Sequence, residues 1–147
     1  MANFNIRIIS FQSVDYDKEI ALRYDVLRKP LGLQFTAEQL SAEGAFLHLG
    51  YFEGDDLLAC LILAPEPNGK IKMKQVAVAI NKQGKGIGAQ LVNGAEALAA
   101  EKGFTLMYCH ARDTAVQFYL KLGYHKIGDM FEEVSIPHFE MEKIISV

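Results

Sequence analysis

Gln83-Gly84-Lys85-Gly86-Ile87-Gly88 has the residue types and spacing of an anion seat. It lies between an apolar, strand-like run, Gln75 to Ile80, and a helical pattern that opens near Gly86. A glycine-rich turn at a strand-to-helix junction leaves backbone N–H groups unpaired, and the helix dipole adds partial positive charge there. Glycine has no Cβ, so a ligand can approach the backbone closely. Lys82 and Lys85 flank the turn with full positive charges. Together these features predict a seat for a phosphorylated ligand. The dinucleotide pattern G-x-G-x-x-G and the P-loop pattern G-x-x-x-x-G-K-[ST] are both absent here. The pattern present is Q-x-x-G-x-G, read from Gln83 through Gly86 to Gly88.

A second constellation lies downstream, from Ala111 to Tyr124. Asp113 or Thr114 can cap a helix there. Ala115, Phe118, Tyr119 and Leu122 then fall on one helix face, and Gly123 is placed to end the helix. A phenol with a reference pKa of ~10 is protonated at neutral pH and can donate to a developing anion. Tyr119 is therefore a candidate general acid, against the plainer reading of a core aromatic.

These two segments, in this order, resemble the signatures [QR]-x-x-G-x-[GA] and N-x-x-A-x-x-F-Y-x-x-x-G-[FY] of the GNAT N-acetyltransferase superfamily. The resemblance covers the chain well from about Gly69 onward. The tail from Phe131 to Met141 and the segment Leu22 to Gly32 are similar to an ElaA-like branch of it. The resemblance implies an acetyl-CoA-dependent N-acetyltransferase with acetyl-CoA as co-substrate and no metal. It implies cofactor contacts from Val76, Val78, Gln83, Gly84, Lys85, Gly86, Ile87, Gly88 and Ala115, and a general-acid role for Tyr119. Arg112 stands where the family pattern has asparagine. The implied acceptor is the primary amine of a small molecule, attacked directly in a ternary complex. Protein or peptide N-acetylation and a non-catalytic CoA-binding regulatory module are the alternatives.

The amine must be neutral when it attacks, and the strand before the loop, Met73-Lys74-Gln75, offers no carboxylate as base. His110, Glu132, Glu133 and His138 are candidates, with water as a further one. His138 follows Ile136-Pro137, read as a stiffened loop. Arg23 and Arg28 are read as lying off the apolar face of the first helix, where guanidinium groups could bind an anionic acceptor.

The elements that hold these residues fit one domain of 147 residues. Half of the residues are hydrophobic and 22% charged, as in an ordered globular chain. The pattern predicts a strand over Phe4 to Phe11 and a helix over Asp17 to Leu31 that faces inward with Ile20, Tyr24 and Leu27. A capped turn at Thr36, a hairpin across Gly54-Asp55 and a long strand to Ile80 follow. A helix from Ile87 to about Lys102 ends at Gly103. Further strands are expected over Phe104 to His110, Lys126 to Phe131 and Phe139 to Ile145. This order gives an α/β fold, with a mixed sheet and helices on both faces. The resemblance adds a splay between central parallel strands.

Cys60 and Cys109 sit in apolar runs and read as buried thiols in a reducing compartment. No signal-peptide pattern or membrane span is visible, so the expected location is cytoplasmic. A net charge of −3 without a basic stretch disfavours nucleic acid as a partner. A homodimer is compatible with all of this.

Overall fold

A computed structural model describes residues 4–146. Seven strands hydrogen-bond into one mixed sheet. The chain's internal contacts gather into two compact units. One holds the residues up to Ala64 together with Gln75–Ala95, and the other holds Pro65–Lys74 with the chain from Glu96 onward.

In the first unit β1 (Phe4–Ile9) pairs antiparallel with β2 (Leu47–Glu53), and β2 with β3 (Asp56–Pro65). The hairpin across Gly54-Asp55 is as expected, with Gly54 at φ +59°. Ala59 to Leu63 are fully buried, which is why β3 reads as a continuous apolar run and not an alternating one. Helix α1 (Val14–Arg23) starts three residues before the expected Asp17, because the Ser13 hydroxyl caps it by accepting from the Tyr16 N–H at 3.2 Å. It runs on as a π-helical turn, Tyr24–Arg28, and a 3-10 turn, Lys29–Leu31, that closes at Gly32. The inward face of α1 also differs from expectation. Ile20 packs against the core cluster of Ile9, Tyr16 and Phe52 as expected, but the buried positions are Tyr16, Glu19 and Arg23, at i, i+3 and i+7. Helix α2 (Ala37–Ser41) carries a full capping box between Thr36 and Gln39.

In the second unit β4 (Lys70–Val78) begins and pairs in parallel with β5 (Leu106–Arg112) along the rungs Lys70↔Leu106 to Lys72↔Tyr108. On its other side β5 pairs antiparallel with β7 (Ile136–Ile144) along its full length, from Leu106↔Ile144 to Arg112↔His138. β6 (His125–Glu133) then pairs with β7. Alternation along β5 puts Met107, Cys109 and Ala111 on a buried face, with Tyr108, His110 and Arg112 on the other. Helix α4 (Val116–Lys121) ends in a Schellman arrangement: Tyr124 N–H donates to Tyr119 O at 3.0 Å and Gly123 N–H to Leu120 O at 3.1 Å. Helix α3 (Ile87–Glu101) ends the same way at Gly103.

One boundary is corrected here. Pro137 and His138 are strand residues, not loop residues, because β7 already begins at Ile136. Val134 and Ser135, at φ +47° and +61°, make the two-residue hairpin turn, so no loop is left for Pro137 to stiffen.

Candidate active site

The turn from β4 into α3 is exposed from Gln83 to Gly86. Gly84 and Gly86 hold φ +78° and +80°, and a Cβ on either would meet open space. The Gln83 side chain donates from Nε2 to the Val78 carbonyl at 3.0 Å and so ties the turn back to β4. Gly86 O accepts from Gln90 N–H at 3.1 Å, the first bond of α3. The N–H groups of the opening helical turn have no earlier carbonyls to reach. Among the described residues no ion pair engages Lys82 or Lys85. Ile87 is buried and anchors the helix start, and Val76 and Val78 are half-buried. Gln75, at φ +55°, lies within β4 just before them.

Tyr119 lies on α4, with Ala115 as the N-cap residue. The expected side-chain cap of this helix is corrected. Asp113 Oδ1 accepts from Thr114 N–H at 3.0 Å inside a 3-10 turn, and α4 itself has no capping side chain. Tyr119 is 6% exposed and packs edge-on against Phe118 and Tyr124, with ring centroids at 5.0 and 5.6 Å. No described residue hydrogen-bonds its hydroxyl. Burial raises its pKa, with a further contribution from the nearby Cys109 thiol, so the phenol holds its proton across the neutral range. The geometry leaves an uncommitted O–H donor.

On the opposite face of β5 His110 is half-buried. Its Nδ1 lies 3.1 Å from Glu133 Oε1 and 3.4 Å from Lys72 Nζ. Its Nε2 lies 3.6 Å from Glu140 Oε1, and Phe131 stands edge-on to the ring at 5.0 Å. His138 is 4% exposed, and its Nδ1–H donates to Ile136 O at 2.8 Å. Its Nε2 lies 3.6 Å from Glu133 Oε2, so Glu133 stands between two histidines.

Arg23 is placed differently from expectation. It is fully buried and does not lie off the core face. Its Nη1 donates to Glu19 Oε2 at 2.7 Å and to Glu43 Oε1 at 2.8 Å, and its Nη2 to Glu43 Oε2 at 2.6 Å. His48 joins the cluster: Nδ1 meets the Glu19 carboxylate at 2.9 Å and Nε2 the Glu43 carbonyl at 2.9 Å. The Tyr16 hydroxyl donates to Glu43 Oε1 at 2.8 Å. Burial opposes charge on Arg23, Glu43 and His48 alike, but these bonds outweigh it. The Arg23 and His48 pKa values rise and that of Glu43 falls. Glu19, Glu43 and His48 offer ligand atoms within 4.8 Å of one another, yet the guanidinium already supplies their cationic partner. Arg28 is half-buried, with its guanidinium 4.7 Å from the Phe35 ring centroid, and Arg112 is half-buried at the end of β5.

Sequence reasoning missed Glu19, Glu43 and His48. The i, i+3, i+7 spacing of Tyr16, Glu19 and Arg23 was a usable signal for a polar inward stripe. Glu43 and His48 left none, because they reach the helix from other elements.

The comparisons with known proteins agree with this picture. Residues 17–145 match the family model described as "Acetyltransferase (GNAT) domain". The uncharacterised protein YyaT of Bacillus subtilis is 36% identical over 75 residues, about half the length of each chain. The crystal structure of Escherichia coli ElaA superposes with a TM-score of 0.79 at 19% identity, over 97% of this chain and 99% of that one. An aminoglycoside 6'-N-acetyltransferase complexed with coenzyme A superposes equally well, at 0.79 and 17% identity, over 96% and 97% of the chains. At these identities the structures speak for the fold, and the family model carries the assignment. The chain belongs to the GNAT acetyltransferase family.

Proposed function

We propose that this chain moves the acetyl group of acetyl-CoA to the primary amine of a small-molecule acceptor, by direct attack in a ternary complex. The observation that carries this reading is the turn at the start of α3: exposed, doubly left-handed at Gly84 and Gly86, open where a Cβ would stand, and flanked by uncommitted lysines. Such a turn suits a pyrophosphate. Acetyl-CoA brings the activated thioester, and a CoA-bound fold neighbour supports its use here. Val76 and Val78 are suited to pair their backbone with the pantetheine arm as an added strand. Tyr119 supplies the proton that the departing thiolate takes up.

Both cysteines are unpaired and buried, with thiols pushed upward in pKa by that burial, which suits a reducing, cytoplasmic setting. No helix among the described residues is long and apolar enough to cross a membrane.

The test is calorimetry with acetyl-CoA on the wild type and on Gly86→Val. A side chain at φ +80° is strained and projects into the space the phosphates would fill. Affinity should fall at least tenfold while circular dichroism stays unchanged. A folded Gly86→Val protein with undiminished affinity would remove the loop from the reading.

A further inference from the structure

We infer that His110 is the base that deprotonates the acceptor amine through Nε2, and that Glu133 is the positioning residue that sets its tautomer. The inference rests on the acetyl-transfer reading and adds the half of the chemistry that Tyr119 does not supply.

The two ring nitrogens of His110 meet different surroundings. Nδ1 lies 3.1 Å from Glu133 Oε1, within hydrogen-bond range, and a carboxylate only accepts. That contact places the neutral ring's proton on Nδ1 and leaves the Nε2 lone pair free. Lys72 Nζ, at 3.4 Å from the same Nδ1, is the looser partner. Nε2 has no hydrogen bond among the described residues, since Glu140 Oε1 at 3.6 Å is too far for one. It is close enough to pair once Nε2 gains a proton. The groups facing the ring are thus Lys72 from β4, Tyr108 from β5, Phe131 and Glu133 from β6, and Glu140 from β7. His138 also keeps its neutral proton on Nδ1, but at 4% exposure it is far less accessible to an amine. It backs the far oxygen of Glu133.

Placement on β5 supplies the second half. Cys109 and His110 are neighbours, so their side chains leave opposite faces of the strand. Tyr119 is on the Cys109 side, packed against Tyr124, whose hydroxyl meets Met107 Sδ at 3.3 Å on that same face. Donor and base therefore flank β5 from opposite faces. His110 also lies two residues past the Lys72↔Tyr108 rung, on the stretch of β5 that pairs with β7. A thioester lying across β5 there turns its sulfur toward Tyr119 and its carbonyl toward an amine on the His110 side.

The proton count closes. The acceptor enters as an ammonium and gives one proton to Nε2. The freed lone pair forms the C–N bond as the C–S bond breaks, and the sulfur takes the phenol proton of Tyr119. The second nitrogen proton restores the phenol through solvent. The imidazolium passes its proton to water, next to the 46%-exposed Glu133. The sum is amide, free thiol and one released proton.

Two measurements test this. Nitrogen-15 NMR of the free protein should show neutral His110 protonated at Nδ1, with that preference lost in Glu133→Gln. A proton on Nε2 in the wild type overturns the inference whatever the enzyme does. Turnover is read as thiol release from acetyl-CoA with phenethylamine and with the less basic trifluoroethylamine. His110→Gln should keep acetyl-CoA affinity and lose ~10²-fold or more in kcat/KM for phenethylamine. It should lose much less for trifluoroethylamine, which arrives largely deprotonated. Its kcat/KM should also climb with pH in step with solution amine deprotonation. Equal pH profiles for wild type and His110→Gln, with both turning over, discard His110 and leave acetyl transfer standing. A wild type that does not bind acetyl-CoA discards both.

Discussion

Tyr119 shows how much one residue's chemistry depends on what its neighbours leave undone. Its ring is packed on two sides by aromatics, but its hydroxyl has no partner among the described residues. Burial raises its pKa, which keeps the phenol protonated through the neutral range, at the cost of making it a weaker acid toward the thiolate. Tyr119→Phe removes one oxygen from a site that no internal hydrogen bond stabilises. We expect acetyl-CoA affinity and thermal stability to stay near wild type while kcat falls ~10²-fold. Single-turnover kinetics checks this, and an unchanged chemical step would return Tyr119 to packing. Tyr119 was legible in the sequence because its helix face and the glycine after it are local signals. Arg23 was not. Its partner Glu43 lies 20 residues away on another element, and a charged residue pointing into the core violates the periodicity that sequence reading relies on.

Elements whose ends are written in local backbone chemistry were read correctly. Gly32, Gly103 and Gly123 each end a helical segment with positive φ, and at the expected capped turn Thr36 forms a capping box with Gln39. The β6–β7 hairpin was misread for the opposite reason. Its turn, Val134-Ser135, has neither glycine nor asparagine, so nothing in the sequence marks it, and Pro137 suggested a break instead. A β-branched residue at φ +47° is strained. Replacing Val134-Ser135 by Asn-Gly should therefore stabilise the hairpin by about 1 kcal/mol or more. Urea denaturation with matched m-values reads this out. A loss of stability would mean that the Val134 side chain makes a contact worth more than the strain. Because Glu133 precedes the turn directly, activity should survive the exchange only if the register Glu133↔Ile136 is kept.

At the scale of the whole molecule, a modest net charge of −3 hides a concentrated internal balance. Glu19 and Glu43 face Arg23 and a His48 whose two ring nitrogens both meet acceptors, so the ring is held as an imidazolium. The cluster joins α1, the 3-10 turn after α2, and β2 within the first unit. Its pH behaviour has two limbs of opposite sign. The folded pKa of His48 is raised, so its contribution is complete below the unfolded imidazole value and fades as pH climbs through the folded one. The folded pKa of Glu43 is lowered, so its contribution is complete above the unfolded carboxyl value and fades as pH falls through the folded one. The first unit is thus most stable between these limbs. Buried tyrosines with raised phenols act only at higher pH, above their ordinary value of ~10. Hydrogen exchange at β2 amides, followed against pH, should show protection declining on the alkaline side before the tyrosines matter. His48→Gln keeps a hydrogen-bonding side chain but carries no charge, so it should flatten that first decline. Arg23→Met leaves two carboxylates buried against each other and should cost about 3–5 kcal/mol at neutral pH. Removing the Glu43 charge as well, in Arg23→Met with Glu43→Gln, should recover part of that loss. Arg23→Met protection equal to wild type, or an alkaline decline that persists in His48→Gln, would show that the cluster is carried by the fold and does not hold it.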